Sequence, residues 1–425
     1  MFQQNNVITA IEIGTSKICV MIGETSEEEK LTVIGFGESP SNNSVIKGEI
    51  VDMDIALEQL TKAINQADES SNRAINDSNI IAISITGSSI LSYQGSSAIF
   101  VNSEDHRIGE EEITTAVQNA QSNHIPYDRT LINSFDSYFL LDGNKRVRNP
   151  IDQTAQKLEV FIHAVHGKTN QIENFYSLLR DAGFDDDPVP VFSGIASAYG
   201  VLTEDEKENG ALLLDMGAGT CEYLAIFNMG ILASGVLPIG FEHLANDLSL
   251  GLDLHISDCR KLLDEGIIVD HIQQRKPFIE IRTSPGSLRK IPLTSFEKII
   301  DLRLREVFKI IHGKLVTQNI LQNLGSGGVI TGGGAMLPRS SELFHEAFQF
   351  PVRVGQPFAA NTSLPGIENP RYANIWGALK FAEEFNKIVN SKQKTTIAEK
   401  VLNSADGMAS SILRSLSNVY KSLKI

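Results

Sequence analysis

The stretch that decides the fold reads ITAIEIGTSKICVMIGE at residues 8–24, and a second stretch, ALLLDMGAGTCEYLAIF at residues 211–227, repeats its pattern. Each copy consists of an apolar run, an acid, one apolar residue, a glycine-containing turn and a second apolar run. Apolar runs of this length, rich in Ile, Val and Leu, predict buried strands. Because the copies lie far apart in the chain, they indicate a duplicated domain rather than a short solenoid repeat.

The turn of each copy has the composition of a phosphate-binding loop. A glycine-rich turn lets the backbone approach a ligand closely, and its successive N–H groups form a concavity that binds anions. Hydroxyl groups add further donors, and a lysine adds a positive charge. The candidate phosphate-binding residues are Gly14, Thr15, Ser16 and Lys17 in the first copy and Gly217, Ala218, Gly219 and Thr220 in the second.

The acids of the two copies are Glu12 and Asp215. A carboxylate beside a polyphosphate repels it unless a cation lies between them. Mg²⁺ suits that position, since it is usually held by one or two carboxylates, phosphate oxygens and water. A single hairpin of this kind is more often only a hairpin, but two copies in matching strand contexts favour a nucleotide site.

A third glycine motif occurs at residues 328–337, which read GVITGGGAML. It places Gly332, Gly333 and Gly334 between a predicted strand and a predicted helix. Such a triplet could let a flat base or ribose lie on the backbone. A glycine-rich loop fixed by packing is the alternative, and these residues alone do not decide between the two.

These motifs together resemble the nucleotide signature of the actin, Hsp70 and sugar-kinase superfamily, and within it the chain resembles the FtsA family of bacterial cell division over essentially its whole length. The resemblance rests on EIGTSK at 12–17, SGIASAYGVLTEDEKENG at 193–210, LDMGAGTCE at 214–222, ITGGGAMLP at 330–338 and NPRYANIWGAL at 369–379. In order, these match the first phosphate motif, the interdomain helix, the second phosphate motif, the adenosine motif and the C-terminal return helix.

The resemblance implies an α/β, actin-like (ribonuclease H-like) fold of two lobes, with duplicated nucleotide-binding domains and an FtsA-type inserted subdomain. The first lobe is then subdomain 1A at 1–85, 165–208 and 357–390, interrupted by the inserted subdomain 1C at 86–164. The second lobe is subdomain 2A at 209–245 and 326–356, with subdomain 2B at 246–325. A linker at 391–406 and an amphipathic helix at 407–425 complete the chain.

The resemblance also implies ATP and Mg²⁺ as ligands, with Glu12 and Asp215 as catalytic residues and as magnesium ligands acting partly through water. Adenosine would be bound by Gly332, Gly333, Gly334 and Met336, and by Lys261 on a helix that closes over the adenine. Several relatives carry Glu-Pro before the interdomain helix, where this chain has Ser193 and Gly194. In those relatives that acid helps to orient the attacking water. We therefore expect at most a slow ATPase, and a nucleotide switch rather than an efficient catalyst.

Composition restricts the function further. The chain has 425 residues, 42% of them hydrophobic, which is ample for two lobes with their own cores. Its net charge of −15 argues against general nucleic-acid binding. Three widely spaced cysteines fit a reducing cytosol. The sequence contains neither a signal-like N-terminus nor an apolar run long enough to span a membrane.

The C-terminal segment 407–425, GMASSILRSLSNVYKSLKI, has the pattern of an amphipathic helix. On a helical projection its apolar residues fall within an arc of roughly 140°. They include Met408, Ile412, Leu413, Leu416, Val419, Tyr420 and Leu423, while Arg414, Lys421 and Lys424 lie on the opposite side. Such a helix is typical of a membrane interface with anionic lipids. Docking on the protein's own surface is the alternative, which the preceding polar linker and the local positive charge disfavour.

The expected function is therefore an actin-like, ATP-binding protein that polymerises on the cytoplasmic face of the cell membrane and tethers FtsZ filaments at the division site. The resemblance implies that the FtsZ C-terminal tail docks on subdomain 2B and that later division proteins contact subdomain 1C. Other copies of the chain and anionic lipids are the remaining expected partners. A type IV pilus assembly scaffold and a small-molecule kinase of the same superfamily are the alternatives.

Overall fold

The computed structural model of the chain describes residues 6–25, 31–71, 78–122, 125–184, 187–283, 287–357, 364 and 366–395. The amphipathic helix predicted over 407–425 lies outside these residues, as does the linker from residue 396 onward.

The sheet of the first lobe contains five strands, namely β1 (Asn6–Ile13), β2 (Lys17–Thr25), β3 (Leu31–Pro40), β6 (Ile80–Ile85) and β11 (Val189–Phe192). They lie in the order β11-β6-β1-β2-β3. The hairpin of β1 and β2 is antiparallel, whereas β6 runs parallel to both β1 and β11. The predicted hairpin at residues 8–24 thus forms the middle of this sheet. Two helices, α1 (Met53–Ser71) and α3 (Thr169–Asp181), and a small hairpin of β4 (Val45–Ile46) and β5 (Glu49–Ile50) complete the lobe.

The second lobe repeats this arrangement, as the duplicated motif predicts. Its sheet contains β12 (Ala211–Met216), β13 (Cys221–Phe227), β14 (Gly230–Leu237), β17 (Gly327–Thr331) and β18 (Val352–Val354), in the order β14-β13-β12-β17-β18. Strand β12 is antiparallel to β13 and parallel to β17, just as β1 is antiparallel to β2 and parallel to β6. Every residue of β12 is buried, and Leu213 packs into a different core cluster from Leu212 and Leu214. Burial on both faces explains why the strand is uninterruptedly apolar up to its acid.

Two further units are built onto these sheets. The inserted subdomain (residues 91–168) has a sheet in the order β7-β10-β8-β9 and a helix with a core of its own. Its elements are β7 (Leu91–Phe100), α2 (Glu110–Ser122), β8 (Arg129–Leu141), β9 (Lys145–Val147) and β10 (Lys157–Lys168). The smaller unit of the second lobe comprises α6 (Phe241–Leu252), α7 (Ile256–Asp264), α8 (Ile267–Gln273), β15 (Phe278–Thr283), β16 (Ser287–Pro292) and α9 (Leu293–Thr317).

The remaining elements include the two helices that join the lobes, α4 (Ser193–Val201) and α11 (Ala373–Thr395). The others are α5 (Glu204–Asn209), α10 (Ser340–Phe348) and short 3₁₀ turns at Leu321–Asn323, Gly333–Met336 and Pro370–Tyr372. Helix α11 corrects the prediction that a linker begins at residue 391. The stretch from there to Thr395 contains neither Gly nor Pro, which would end a helix. In the described part of the chain, no helix combines the length and apolar character that a membrane-spanning segment requires.

Helices α4 and α11 cross in direct backbone contact. A Cβ atom added to Gly377 would lie 1.6 Å from the carbonyl oxygen of Ala196, and one added to Gly200 would lie 2.3 Å from that of Ala373. These four small residues let the helices approach more closely than larger side chains would allow. Since α4 follows the first-lobe sheet and leads to the second, the crossing is the joint between the lobes.

We predict that Gly377→Ala destabilises the protein by about 1–3 kcal/mol or more, because neither backbone can move away without repacking both helices. Chemical denaturation would measure the free energy of unfolding. The matched control is Gly313→Ala in α9, where an added Cβ meets no atom within 4 Å. This control should gain up to about 1 kcal/mol from helix propensity. Equal stability of the two variants would contradict the close crossing.

Candidate functional site: a cleft between two equivalent turns

The turns of the two hairpins close with the same hydrogen bond. The amide of Gly14 donates to the carbonyl oxygen of Lys17 at 2.9 Å, and that of Gly217 donates to the carbonyl oxygen of Thr220 at 2.9 Å. A glycine thus begins each turn, and the chain reverses over the residues that follow it. The two lobes therefore present turns of the same construction.

The acids occupy equivalent places next to these turns. Glu12 lies opposite Cys19 on β2 and beside Ser84 on β6, while Asp215 lies opposite Glu222 on β13 and beside Thr331 on β17. Each acid is the second-last residue of its strand. The structure therefore brings together the two acids that the sequence pairs.

A cleft of about 710 Å³ separates the lobes and contains both turns. Its walls include every residue predicted to bind phosphate, both acids, Gly332, Gly333 and Met336. Contributions that the sequence analysis did not anticipate come from Glu38, Ser84, Thr86, Glu222, Arg371 and Asn374.

The glycine triplet after β17 has three separate environments. Gly332 has φ of +78°, and a Cβ there would lie 2.3 Å from Asp215 Oδ1. Gly333 is exposed, and an added Cβ would meet only Phe241 Cε2, at an ordinary contact distance of 3.7 Å. Gly334 is packed instead, with Met216 Cβ at 2.4 Å and Phe241 Cζ at 2.7 Å from the added Cβ. Both interpretations of the triplet, a surface for a ligand and a loop fixed by packing, therefore apply. Gly332 and Gly333 line the cleft, whereas packing fixes Gly334.

Lys261 requires a correction, because it is not among the residues that line the cleft. Its side chain on α7 is 66% exposed, with Nζ 3.9 Å from Glu265 Oε1. The cleft wall here is formed by the end of α7 and the residues after it, Asp264, Glu265 and Gly266.

Lys17 is held at the mouth of its turn by Glu12. Its Nζ donates to Glu12 Oε2 at 2.9 Å and lies 3.3 Å from Cys19 Sγ. The hairpin register produces this contact, since Lys17 and Cys19 share one face of β2 and Cys19 lies opposite Glu12. Burial alone would lower the pKa of Lys17, but Cys19, Glu12 and Glu38 raise it above its ordinary value. Lys17 is therefore a fixed positive charge in the cleft.

Asp215 and Glu222 form a buried pair of carboxyl groups. Ser197 Oγ donates to Asp215 Oδ2, while Thr220 Oγ1 donates to Glu222 Oε1 at 2.8 Å. Thr86 of the first lobe also donates to Glu222, which ties the lobes together inside the cleft. Burial, reinforced by the charge of Glu222, raises the pKa of Asp215 to about 7. Burial likewise raises the pKa of Glu222.

The floor of the cleft is closed by the β4–β5 hairpin, which the sequence analysis did not single out. The amide of Gly48 donates to Thr15 Oγ1 at 3.0 Å. A Cβ on Gly219 would lie 2.2 Å from that same hydroxyl oxygen and 2.8 Å from Lys47 Cα. The two turns therefore touch one another at this end, with the apex of the hairpin against both.

The cleft retains buried polar atoms that a ligand could satisfy. Ser84 Oγ and Asn374 Oδ1 both lie in the cleft walls and have no hydrogen-bond partner among the described residues. Buried polar atoms without partners are uncommon and costly in folded proteins. Together with the open backbone at Gly333, they give the cleft the features of a site for a polar ligand with a flat part.

The fold is that of the actin-like ATPases. A chain of the PilM–PilN type IV pilus biogenesis complex superposes with a TM-score of 0.60 at 13% identity, covering 88% of this chain and 98% of that one. MreB 5 of Spiroplasma citri, solved with bound AMPPNP, superposes with a TM-score of 0.51 at 12% identity, covering 91% and 99% of the two chains. These likenesses concern the fold alone, and they confirm the predicted actin-like architecture.

Family models and curated relatives identify the family. Residues 87–166 match the model described as the SHS2 domain inserted in FtsA, and residues 212–377 match the model of cell division protein FtsA. FtsA of Borreliella burgdorferi is 28% identical over 95% of this chain and 98% of its own length. FtsA of Pseudomonas aeruginosa is 26% identical over 89% and 90%, and that of Bacillus subtilis is 26% identical over 89% and 84%. The chain belongs to the FtsA family of bacterial cell-division proteins.

Proposed function

We propose that this FtsA-family chain binds Mg·ATP between its lobes and uses the nucleotide to control its assembly on the cytoplasmic membrane. The observation that carries the proposal is the pair of equivalent turns, each with an acid beside it, facing one cleft. The phosphates would lie against the amides and hydroxyls of Gly14–Lys17 and Gly217–Thr220. The adenosine would lie against Gly332, Gly333 and Met336.

The charges in the cleft support a cation in addition to the nucleotide. Its lining includes the carboxyl groups of Glu12, Glu38, Asp215, Glu222, Asp264, Glu265 and Asp270. Against these stand the cations of Lys17 and Arg371, which are already paired with Glu12 and Glu38 at 2.9 Å each. A polyphosphate entering such a site needs a compensating charge. Mg²⁺ between Glu12 and Asp215, partly through water, would supply it and would polarise the phosphate oxygens.

Slow hydrolysis follows from the same side chains. The chain has Ser193 and Gly194 where several relatives carry Glu-Pro, which leaves Glu222 as the buried acid near Asp215. Two hydroxyl groups already donate to Glu222. These hydrogen bonds stabilise the charged carboxylate and make it less available to accept a proton from water. The nucleotide would therefore act mainly as a switch.

Family membership supports a role at the division site. We propose that ATP closes the cleft, that closed subunits polymerise, and that the C-terminal helix at 407–425 binds anionic lipids. One helix with three cations would bind reversibly, so a filament would strengthen attachment through multivalency. The filament would tether FtsZ through the smaller unit of the second lobe and meet later division proteins through the inserted subdomain.

Asp215→Asn should stabilise the ligand-free protein at pH 8 by on the order of 2 kcal/mol, because it removes a buried charge. The pKa of Asp215 in the folded state is raised from an ordinary 3.8 to about 7. The folded protein thus binds the proton of Asp215 more tightly than the unfolded chain does. The free energy of unfolding therefore falls as pH rises from 3.8 to about 7. The advantage of the variant should therefore vanish near pH 4. Denaturation with EDTA present, across pH 4–8, would measure it.

The same variant should bind ATP at least about tenfold more weakly with Mg²⁺ present, since it loses a magnesium ligand. Calorimetric titration of both proteins with and without Mg²⁺ would measure the affinity. Asp205→Asn, at an exposed position of α5, is the matched control and should bind as the unchanged protein does. If Asp215→Asn binds ATP as tightly as the unchanged protein does, with the same dependence on Mg²⁺, the proposed site is rejected.

Deleting residues 407–425 should leave a folded, ATP-binding protein that no longer sediments with anionic liposomes. Leu413→Asp with Leu416→Asp should have the same effect, because both changes place charge on the apolar side of the helix. The control replaces Ser415 and Ser417, on the polar side of the helix, by Asn. Sedimentation of the deleted protein at the level of the full chain would refute the anchor.

A further inference from the structure

The inserted subdomain is connected by the chain to the first lobe alone, yet it also contacts the second. The chain enters it after β6 and leaves it into α3, and both of these elements belong to the first lobe. Its sheet packs against β14, the edge strand of the second-lobe sheet. A unit that is joined covalently to one lobe and by hydrogen bonds to the other must respond when the lobes move.

Side chains of the inserted subdomain satisfy the carbonyl groups of β14. Gln94 Nε2 donates to the carbonyl oxygen of Leu232 at 2.7 Å and lies 3.3 Å from that of Ile231. Ser92 Oγ donates to the carbonyl oxygen of Ser234 at 2.7 Å. The unpaired edge of a sheet needs partners for its backbone groups, and here another subdomain provides them.

A buried histidine completes this contact. His163 on β10 is 1% exposed, with Nε2 2.7 Å from Ser234 Oγ and Nδ1 3.1 Å from Gln94 Nε2. Because the amide nitrogen of Gln94 only donates, Nδ1 accepts, and the ring proton on Nε2 is donated to Ser234. Burial lowers the pKa of His163 to about 3, so the ring stays neutral at physiological pH. The hydrogen-bond pattern is therefore fixed rather than sensitive to pH.

Two further contacts lie beside the first. Arg148 Nη2 donates to Glu208 Oε2 at 2.7 Å, on the connecting helix α5, and to Asn228 Oδ1 at 2.6 Å, in the second lobe. A Cβ added to Gly230 would lie 3.3 Å from the carbonyl oxygen of Ser137 and 3.5 Å from its Cα. The first residue of β14 is thus in contact with the backbone of β8, and the interface extends beyond a single side chain.

We propose that the contacts of β14 with Ser92, Gln94, Ser137 and His163 form an interlobe latch that holds the cleft closed and couples the state of the cleft to the orientation of the inserted subdomain. The inference rests on the proposed binding of nucleotide between the lobes. In this structure the latch is formed while the two turns touch and Thr86 bonds to Glu222. The closed cleft and the closed latch therefore belong to one conformation. Breaking the latch shifts the population toward open lobes, and locking it does the opposite.

A reversible disulfide tests the latch directly. The pair Ser137→Cys and Gly230→Cys is close enough for a disulfide, given the 3.5 Å between the added Cβ and Ser137 Cα. The three native cysteines are buried, which limits competing bonds. With a fluorescent ATP analogue and Mg²⁺, the oxidised protein should release nucleotide at least about threefold more slowly than the same protein after reduction.

Gln94→Ala provides the opposite change on an exposed side chain, and Gln156→Ala, exposed elsewhere in the inserted subdomain, is its matched control. Gln94→Ala should release the analogue at least about threefold faster than the control. It should also show faster amide hydrogen exchange at residues 230–237. If Gln94→Ala matches the control both in the rate of analogue release and in amide hydrogen exchange at residues 230–237, the latch is overturned, whether or not the disulfide forms.

The outcomes separate the latch from the proposed function. If the unchanged protein binds no ATP analogue, the nucleotide proposal fails, and hydrogen exchange of β14 alone decides whether Gln94 holds the strand. If the unchanged protein binds the analogue but neither the disulfide nor Gln94→Ala alters its release, the coupling fails while the nucleotide site stands.

Discussion

Two acids lie at the ends of largely apolar strands, Asp215 buried and Glu12 partly exposed, and the rest of the site depends on how their charge is compensated. Glu12 and Asp215 are each carried into the cleft by a strand whose other residues are almost all apolar. The folded protein gives Glu12 a lysine at 2.9 Å but gives Asp215 only a hydroxyl group and a second carboxyl group. The second lobe therefore carries an acid whose charge is not compensated, and the raised pKa of Asp215 reflects how unfavourable its charged form is there. A divalent cation between the acids would relieve it, which would make ligand binding and lobe closure parts of one electrostatic balance.

The architecture is suited to converting that balance into movement. The lobes share a joint in which α4 and α11 cross with backbone in contact at Gly200 and Gly377. The cleft lies on one side of it, with hydrogen bonds from Thr86 to Glu222 between the lobes. The inserted subdomain reaches the second lobe at a different place, through β14. Under the proposed latch, a change in the cleft would reach a surface that is distant from it.

The duplicated hairpin made most of this fold predictable. The central strands, the equivalence of the lobes and the meeting of Glu12 with Asp215 all follow from two copies of one local pattern. Glu222 could also have been found, because a four-residue turn after Met216 places it opposite Asp215. Thr86, Arg371 and Asn374 could not, since tertiary packing alone brings them to the cleft. The resemblance places Lys261 on the adenine side of the cleft, but its side chain on α7 is exposed to solvent. The helix α11 runs past the predicted linker boundary because polar residues without Gly or Pro do not end a helix.

The central claim is that one nucleotide bridges both turns with a magnesium ion between the two acids. A crystal structure of the protein with Mg²⁺ and a non-hydrolysable ATP analogue tests it most directly. The account predicts triphosphate density between Gly14–Lys17 and Gly217–Thr220, and a metal whose inner or water-mediated contacts include Glu12 and Asp215. An analogue bound by one lobe alone, or a metal held away from both acids, would contradict it.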